Sequence, residues 1–185
     1  MAPTRPSRRR GFTLVEAIAT IVILAVVMGV ASRLVHAGAD AYTAGSVRAE
    51  MHAQLSSAMD RITSELREVR AAPASSPAAP DVSSVTPTSI SWTGPDGIAR
   101  TLALSGSTLN LTVGGAGAAA LALNVSGLAV ACYDQENTAL AANLSGASTA
   151  AIRRVELTLQ ASVGGVGDTL RTRVFLRCTV AGGAS

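Results

Sequence analysis

The chain has 185 residues, 48% of them hydrophobic and only 3% aromatic, so a core is available and is built from Leu, Val, Ile and Ala. Its formal charge of +3 sits in a leader: Arg5, Arg8, Arg9 and Arg10 precede Gly11, and without them eleven Arg face twelve acids. Beyond residue 44 ten Arg meet ten acids, which excludes a general basic footprint for nucleic acid outside the leader.

Residues 1–11 are basic, contain Pro and have no apolar stretch. A secretory signal peptide places its apolar region before the cut; here the apolar run comes after it. Residues 17–31 carry no charge. With Phe12, Leu14 and Val15 they approach the ~20 residues that cross ~30 Å of hydrocarbon. Arg at the N-terminal flank predicts a cytoplasmic N-terminus, with everything after Arg33 exported. Glu16 is the anomaly, because an ionisable group at membrane depth costs ~2.5–3.5 kcal/mol or more unless it finds a partner.

The run Arg10-Gly11-Phe12-Thr13-Leu14-Val15-Glu16, followed by an apolar helix, resembles the class III signal of type IV pilins and type II secretion pseudopilins. The resemblance implies that a membrane prepilin peptidase cuts between Gly11 and Phe12 and methylates the new amine of Phe12. It also implies that Glu16 pairs with the Phe12 amine of a neighbouring subunit. The physics agrees: a buried carboxylate needs a cation, and cleavage creates one. The plain alternative is a signal anchor whose Glu16 snorkels to the interface.

Val47, Met51, Leu55, Met59, Ile62, Leu66 and Val69 fall at spacings of three and four, one stripe of a helix. Arg48, Glu50, Asp60, Arg61, Glu65 and Glu68 occupy its other faces, and no Pro occurs between residues 12 and 72. A nearly continuous helix over 12–70 is predicted, with Gly38 and Gly45 as weak points and Pro73 as its end. The Pro-rich stretch after it reads as a linker. Strands are expected over 89–93, 98–104, 107–113, 119–125, 128–133, 152–163 and 169–180, with a loop over 134–149. Gly94-Pro95-Asp96-Gly97 signals a hairpin. The predicted organisation is leader 1–11, transmembrane or filament-core helix 12–44, amphipathic continuation 45–72, linker 73–82 and antiparallel β domain 83–185. This α+β layout, a long N-terminal helix on an antiparallel sheet, resembles the pilin-like fold. The segments 123–134, 152–159 and 170–178 also resemble J-type minor pseudopilins and W-type minor pilins.

Cys132 and Cys178 are the only cysteines, and both fall in predicted strands. In an oxidising compartment a disulfide is the expectation, worth roughly 4 kcal/mol for a loop of about 47 residues. Two buried thiols are the alternative. His36 and His52 have no partner at ligand spacing, and no metal or cofactor is expected. Asp134, Glu136 and Asn137 offer oxygen ligands for Ca²⁺ but read better as turn residues. The runs 114–117 and 164–167 lack the context of a phosphate loop. No catalytic constellation is found.

The expectation is therefore a non-enzymatic minor pseudopilin or minor pilin in the inner membrane, with its C-terminal domain periplasmic. Its expected partners are the peptidase and other pilins, with no small-molecule substrate. Three rivals stand beside it. A major shaft pilin shares the N-terminus. A DNA-uptake pilin would need Arg153, Arg154, Arg171, Arg173 and Arg177 to cluster. A membrane-anchored enzyme would need a site that the residues do not offer.

Overall fold

A computed structural model of the chain describes residues 13–73 and 79–179. The predicted cleavage junction, Gly11 and Phe12, lies outside the described residues. The chain divides into two compact units, Met1–Gly45 and Ser46–Ser185.

One helix, α1 (Leu14–Arg67), runs through the first unit into the second without interruption at Gly38 or Gly45. In the second unit its apolar stripe is buried as the spacing requires: Met51, Leu55, Met59, Ile62 and Leu66, with Val69 just beyond. Pro73 does not end α1. The last turn tightens, with Glu68 and Val69 donating to the carbonyls of Glu65 and Leu66. Arg70 then donates its backbone N–H to the Thr93 carbonyl at 3.0 Å, so pairing with a strand takes the chain out of the helix.

Among the described residues nine strands follow: β1 (Val82–Thr86), β2 (Ser89–Thr93), β3 (Ala99–Ser105), β4 (Thr108–Val113), β5 (Ala119–Ala122), β6 (Val125–Tyr133), β7 (Leu144–Ser145), β8 (Arg154–Val163) and β9 (Val166–Phe175). They form two sheets rather than one. The first has six strands in the order β5-β4-β3-β2-β1-β7, and the second has three in the order β6-β8-β9. All the strand pairs are antiparallel. Alternation puts Ile90, Trp92, Leu102, Leu109 and Leu111 of the first sheet into the core. Val130, Cys132, Val155, Leu157, Leu159 and Val174 enter it from the second, and the helix stripe completes it.

The expected hairpin is β2–β3. Gly97 donates to the Gly94 carbonyl at 3.0 Å, and the Asp96 carboxylate accepts from the Ile98 N–H at 3.0 Å. The β8–β9 turn is shorter than 164–167. Only Gly164 and Gly165 take positive φ, +58° and +81°, as a two-residue hairpin turn requires, so β9 begins at Val166. It ends at Phe175, and residues Arg177–Thr179 form a 3-10 turn instead of further strand.

Candidate functional site

The amino end of α1 is built by Thr13. Its carbonyl accepts the Ala17 N–H at 3.1 Å, and its Oγ1 accepts the Glu16 N–H at 3.3 Å. Thr13 thereby accepts the first intrahelical bond and caps one of the four N–H groups that a helix start leaves open. Glu16 lies in this first turn, exposed, where the helix dipole favours a carboxylate. Thr20 returns its hydroxyl to the Glu16 carbonyl at 2.9 Å, so the backbone under Glu16 is held on both sides.

Beyond Glu16 the helix surface is apolar all round. Ile18, Ile21, Val22, Ile23, Leu24, Val26, Val27 and Met28 each expose more than half of their area. α1 is long and apolar enough to cross a membrane, with a mean hydropathy of 2.6 in its most apolar window and none of that window buried. A helix apolar on every face is stable only in lipid or among other helices. One carboxylate stands at the entry to that surface, directly after the basic leader. The motif described as the prokaryotic N-terminal methylation motif matches residues 6–32. The chain carries the class III prepilin signal of type IV pilins and pseudopilins. That signal marks a pilin or pseudopilin subunit, processed by prepilin peptidase and assembled with other pilins. No curated protein matches the sequence.

The other residues singled out in the sequence lie in the second unit, apart from His36 on the exposed N-terminal helix. Cys132 is buried on β6, and burial pushes its thiol up to about 12. Cys178 is half-buried in the 3-10 turn rather than in a strand. β8 lies between β6 and β9. Cys178, beyond the end of β9, packs against the core cluster that holds Cys132.

His52 Nδ1 lies 2.8 Å from Asp168 Oδ2, and this contact holds the Asp168 carboxyl below its ordinary value. In the acidic loop, Asp134 accepts the Thr138 N–H at 2.7 Å. Asn137 Oδ1 accepts from Arg154 at 3.0 Å and from Arg173 at 3.1 Å. These are turn and packing roles, and among the described residues no group of three or more His, Cys, Asp or Glu is placed to hold a metal ion.

Of the five arginines that a DNA-uptake surface would need, three gather on the outer face of the second sheet. Arg171 and Arg173 flank Glu156 at 2.6 and 2.7 Å. Arg171 first, and Arg173 after it, hold the Glu156 carboxyl below its usual range. Arg173 covers the Tyr133 ring at 4.3 Å and Arg154 the Phe175 ring at 5.1 Å. Arg153 instead turns to the carbonyls of Ala150 and Ile152.

Composition and periodicity missed one polar site. Glu65, placed by its spacing outside the apolar stripe, is buried, and Arg61 reaches it at 2.6 Å and Arg100 of β3 at 2.8 Å. Arg100 also binds Asp96 at 2.8 Å, and through these contacts α1 is tied to the β2–β3 hairpin. Gly94 leaves room for that guanidinium, since a Cβ there would overlap Arg100 Nη1 and Cζ. The i,i+4 spacing of Arg61 and Glu65 was the only signal visible in the sequence.

Proposed function

We propose that this chain is a non-enzymatic minor subunit of a type II secretion pseudopilus or type IV pilus, anchored in the inner membrane before assembly. In this reading the leader 1–11 lies in the cytoplasm and the β domain in the periplasm. The peptidase cuts at Gly11-Phe12 and methylates the Phe12 amine. Glu16 then pairs with the Phe12 amine of the adjacent subunit, while apolar contact along residues 12–44 supplies most of the cohesion. The observation that carries this reading is the exposed apolar stretch of α1 entered through a single carboxylate, Glu16. A lone anchor needs the apolar surface but has no use for Glu16.

In an oxidising compartment, Cys132 and Cys178 are proposed to pair. A free-thiol assay on unfolded, non-reduced protein that finds two thiols counts against this.

The reading is tested by mass and by incorporation. Gly11→Leu should leave the full-length precursor, and a mature mass in that variant would sink the processing step. Glu16→Ala should be cleaved normally yet fail to co-purify with partner pilins. Undiminished co-purification would remove the docking role.

A further inference from the structure

The edges of the two sheets are unequal. The six-stranded sheet ends in β5 and β7, of four and two residues, too short to template another strand. In the three-stranded sheet, β6 has a register shift near its start. Its outer edge is also occupied: Val130 donates to the Pro87 carbonyl and Leu140 donates to the Cys132 carbonyl, both at 2.9 Å. β9 is different. It has ten residues, pairs with β8 from end to end without a shift, and has no strand on its other side among the described residues. About half of its N–H and C=O groups point away from β8; at its first end the Gly167 carbonyl accepts from Arg48 at 3.5 Å and the Thr169 N–H donates to Asp168 Oδ1 at 2.9 Å, so the open part of the edge runs from Arg171 to Phe175.

What borders this edge is specific. Along one face, a cleft of about 340 Å³ opens between α1 and the end of β9, lined by Asp60, Thr63, Arg67 and Glu68 from the helix and by Thr172 and Arg177. A strand added beside β9 would send every second side chain toward this polar, charge-balanced cleft. The alternate side chains would fall on the opposite face, beside Arg171 and Arg173. Those two share the single carboxylate of Glu156, and the Arg171 side chain is 62% exposed. With Arg154 on the same face over Phe175, the face carries two positive charges in excess. A second copy of β9 brings the same two arginines, and like charges set opposite one another repel.

We propose that the free edge of β9 docks an extended segment of another protein, with acidic side chains at alternate positions and small polar ones between them. Main-chain bonds to β9 supply the affinity, and Arg171 and Arg173 set register and sign. This goes beyond assembly through the N-terminal helix and does not depend on it.

The test uses the full chain in detergent and a synthetic peptide alternating Glu with Thr, read by amide hydrogen exchange. The Glu/Thr peptide should slow exchange at about three β9 amides, between Arg171 and Phe175, and leave β5 and β7 unchanged. The same peptide with Lys for Glu should bind about ten-fold more weakly, as two cross-strand charge pairs reverse sign. Arg171→Gln, which leaves Arg173 on Glu156, should weaken the Glu/Thr peptide about three-fold. Equal protection by the two peptides, or none by either on wild-type protein, overturns the proposal. Protection of β9 that grows with protein concentration alone overturns it in favour of self-pairing.

Discussion

Replacing Arg100 with Ala should destabilise the β domain by about 2–3 kcal/mol. The guanidinium and the Glu65 carboxylate are 11% and 10% exposed at the side chain, and they meet at 2.8 Å. Removing one partner of such a pair costs ~3–5 kcal/mol, because the other charge stays buried and uncompensated. Here Arg61 remains on the second Glu65 oxygen at 2.6 Å, though it is 61% exposed, which lowers the expected cost to the range given. With a urea slope of about 2 kcal/mol/M, the unfolding midpoint falls by about 1 M. The assay is intrinsic: Trp92 is the sole tryptophan, is 1% exposed, and is the cross-strand partner of Arg100. Gly94→Ala should reproduce much of the loss with every charge still present, since the new Cβ takes the place of the guanidinium. Arg100→Ala and Glu65→Gln should be clearly less than additive, with a coupling of about 1–2 kcal/mol. A midpoint shift under about 0.3 M, or additive effects, would refute the claim that this pair fastens α1 to the hairpin.

Leu157→Ala, at a position 0% exposed in the middle of β8, should cost about 2–5 kcal/mol by the same fluorescence titration. Glu156 is depressed in the folded state, so its contribution is complete above the ordinary Glu value near 4.3 and is lost as pH falls through the lower folded value. Stability should accordingly fall below about pH 4, and Glu156→Gln should flatten that part of the profile, measured by urea midpoints across pH. In folded protein kept reduced, Cys132 should resist alkylation at pH 8, because its thiol ionises only near 12; rapid labelling before unfolding would contradict its burial.

What the sequence made legible was whatever repeats with a short period. The stripe from Met51 to Val69 is buried because spacings of three and four bring those residues to one face of a helix. Strand β2 was legible to the residue, since Ile90 and Trp92 alternate with polar neighbours and stop at a Pro-Asp-Gly turn. Strands β1 and β7 were not legible. Val82 and Val85 alternate too weakly to announce a strand, and β7 has only two residues; both exist because a neighbour offers backbone groups to pair with. The division into two sheets was equally hidden, because pairing partners are a property of the folded chain. Glu16 was visible as local chemistry, whereas the Glu65–Arg100 contact joins a helix residue and a strand residue that no short period relates. Gly94 matters only through the guanidinium packed against it.

The buried core cluster begins at Met51, and the large apolar side chains of α1 before Val47 are exposed. The stability of the β domain and the chemistry of the N-terminal helix are therefore separate quantities. A substitution at Glu16 removes no core contact, so a Glu16→Ala subunit should unfold in urea at the wild-type midpoint. An assembly defect in that variant must then arise from the missing carboxylate rather than from a misfolded domain. The converse holds for Arg100→Ala, which weakens the domain and leaves the signal at residues 6–32 intact for processing. A variant that lost both properties together would mean that the capped start of α1 contributes to the core at a distance, which the burial of its side chains gives no reason to expect.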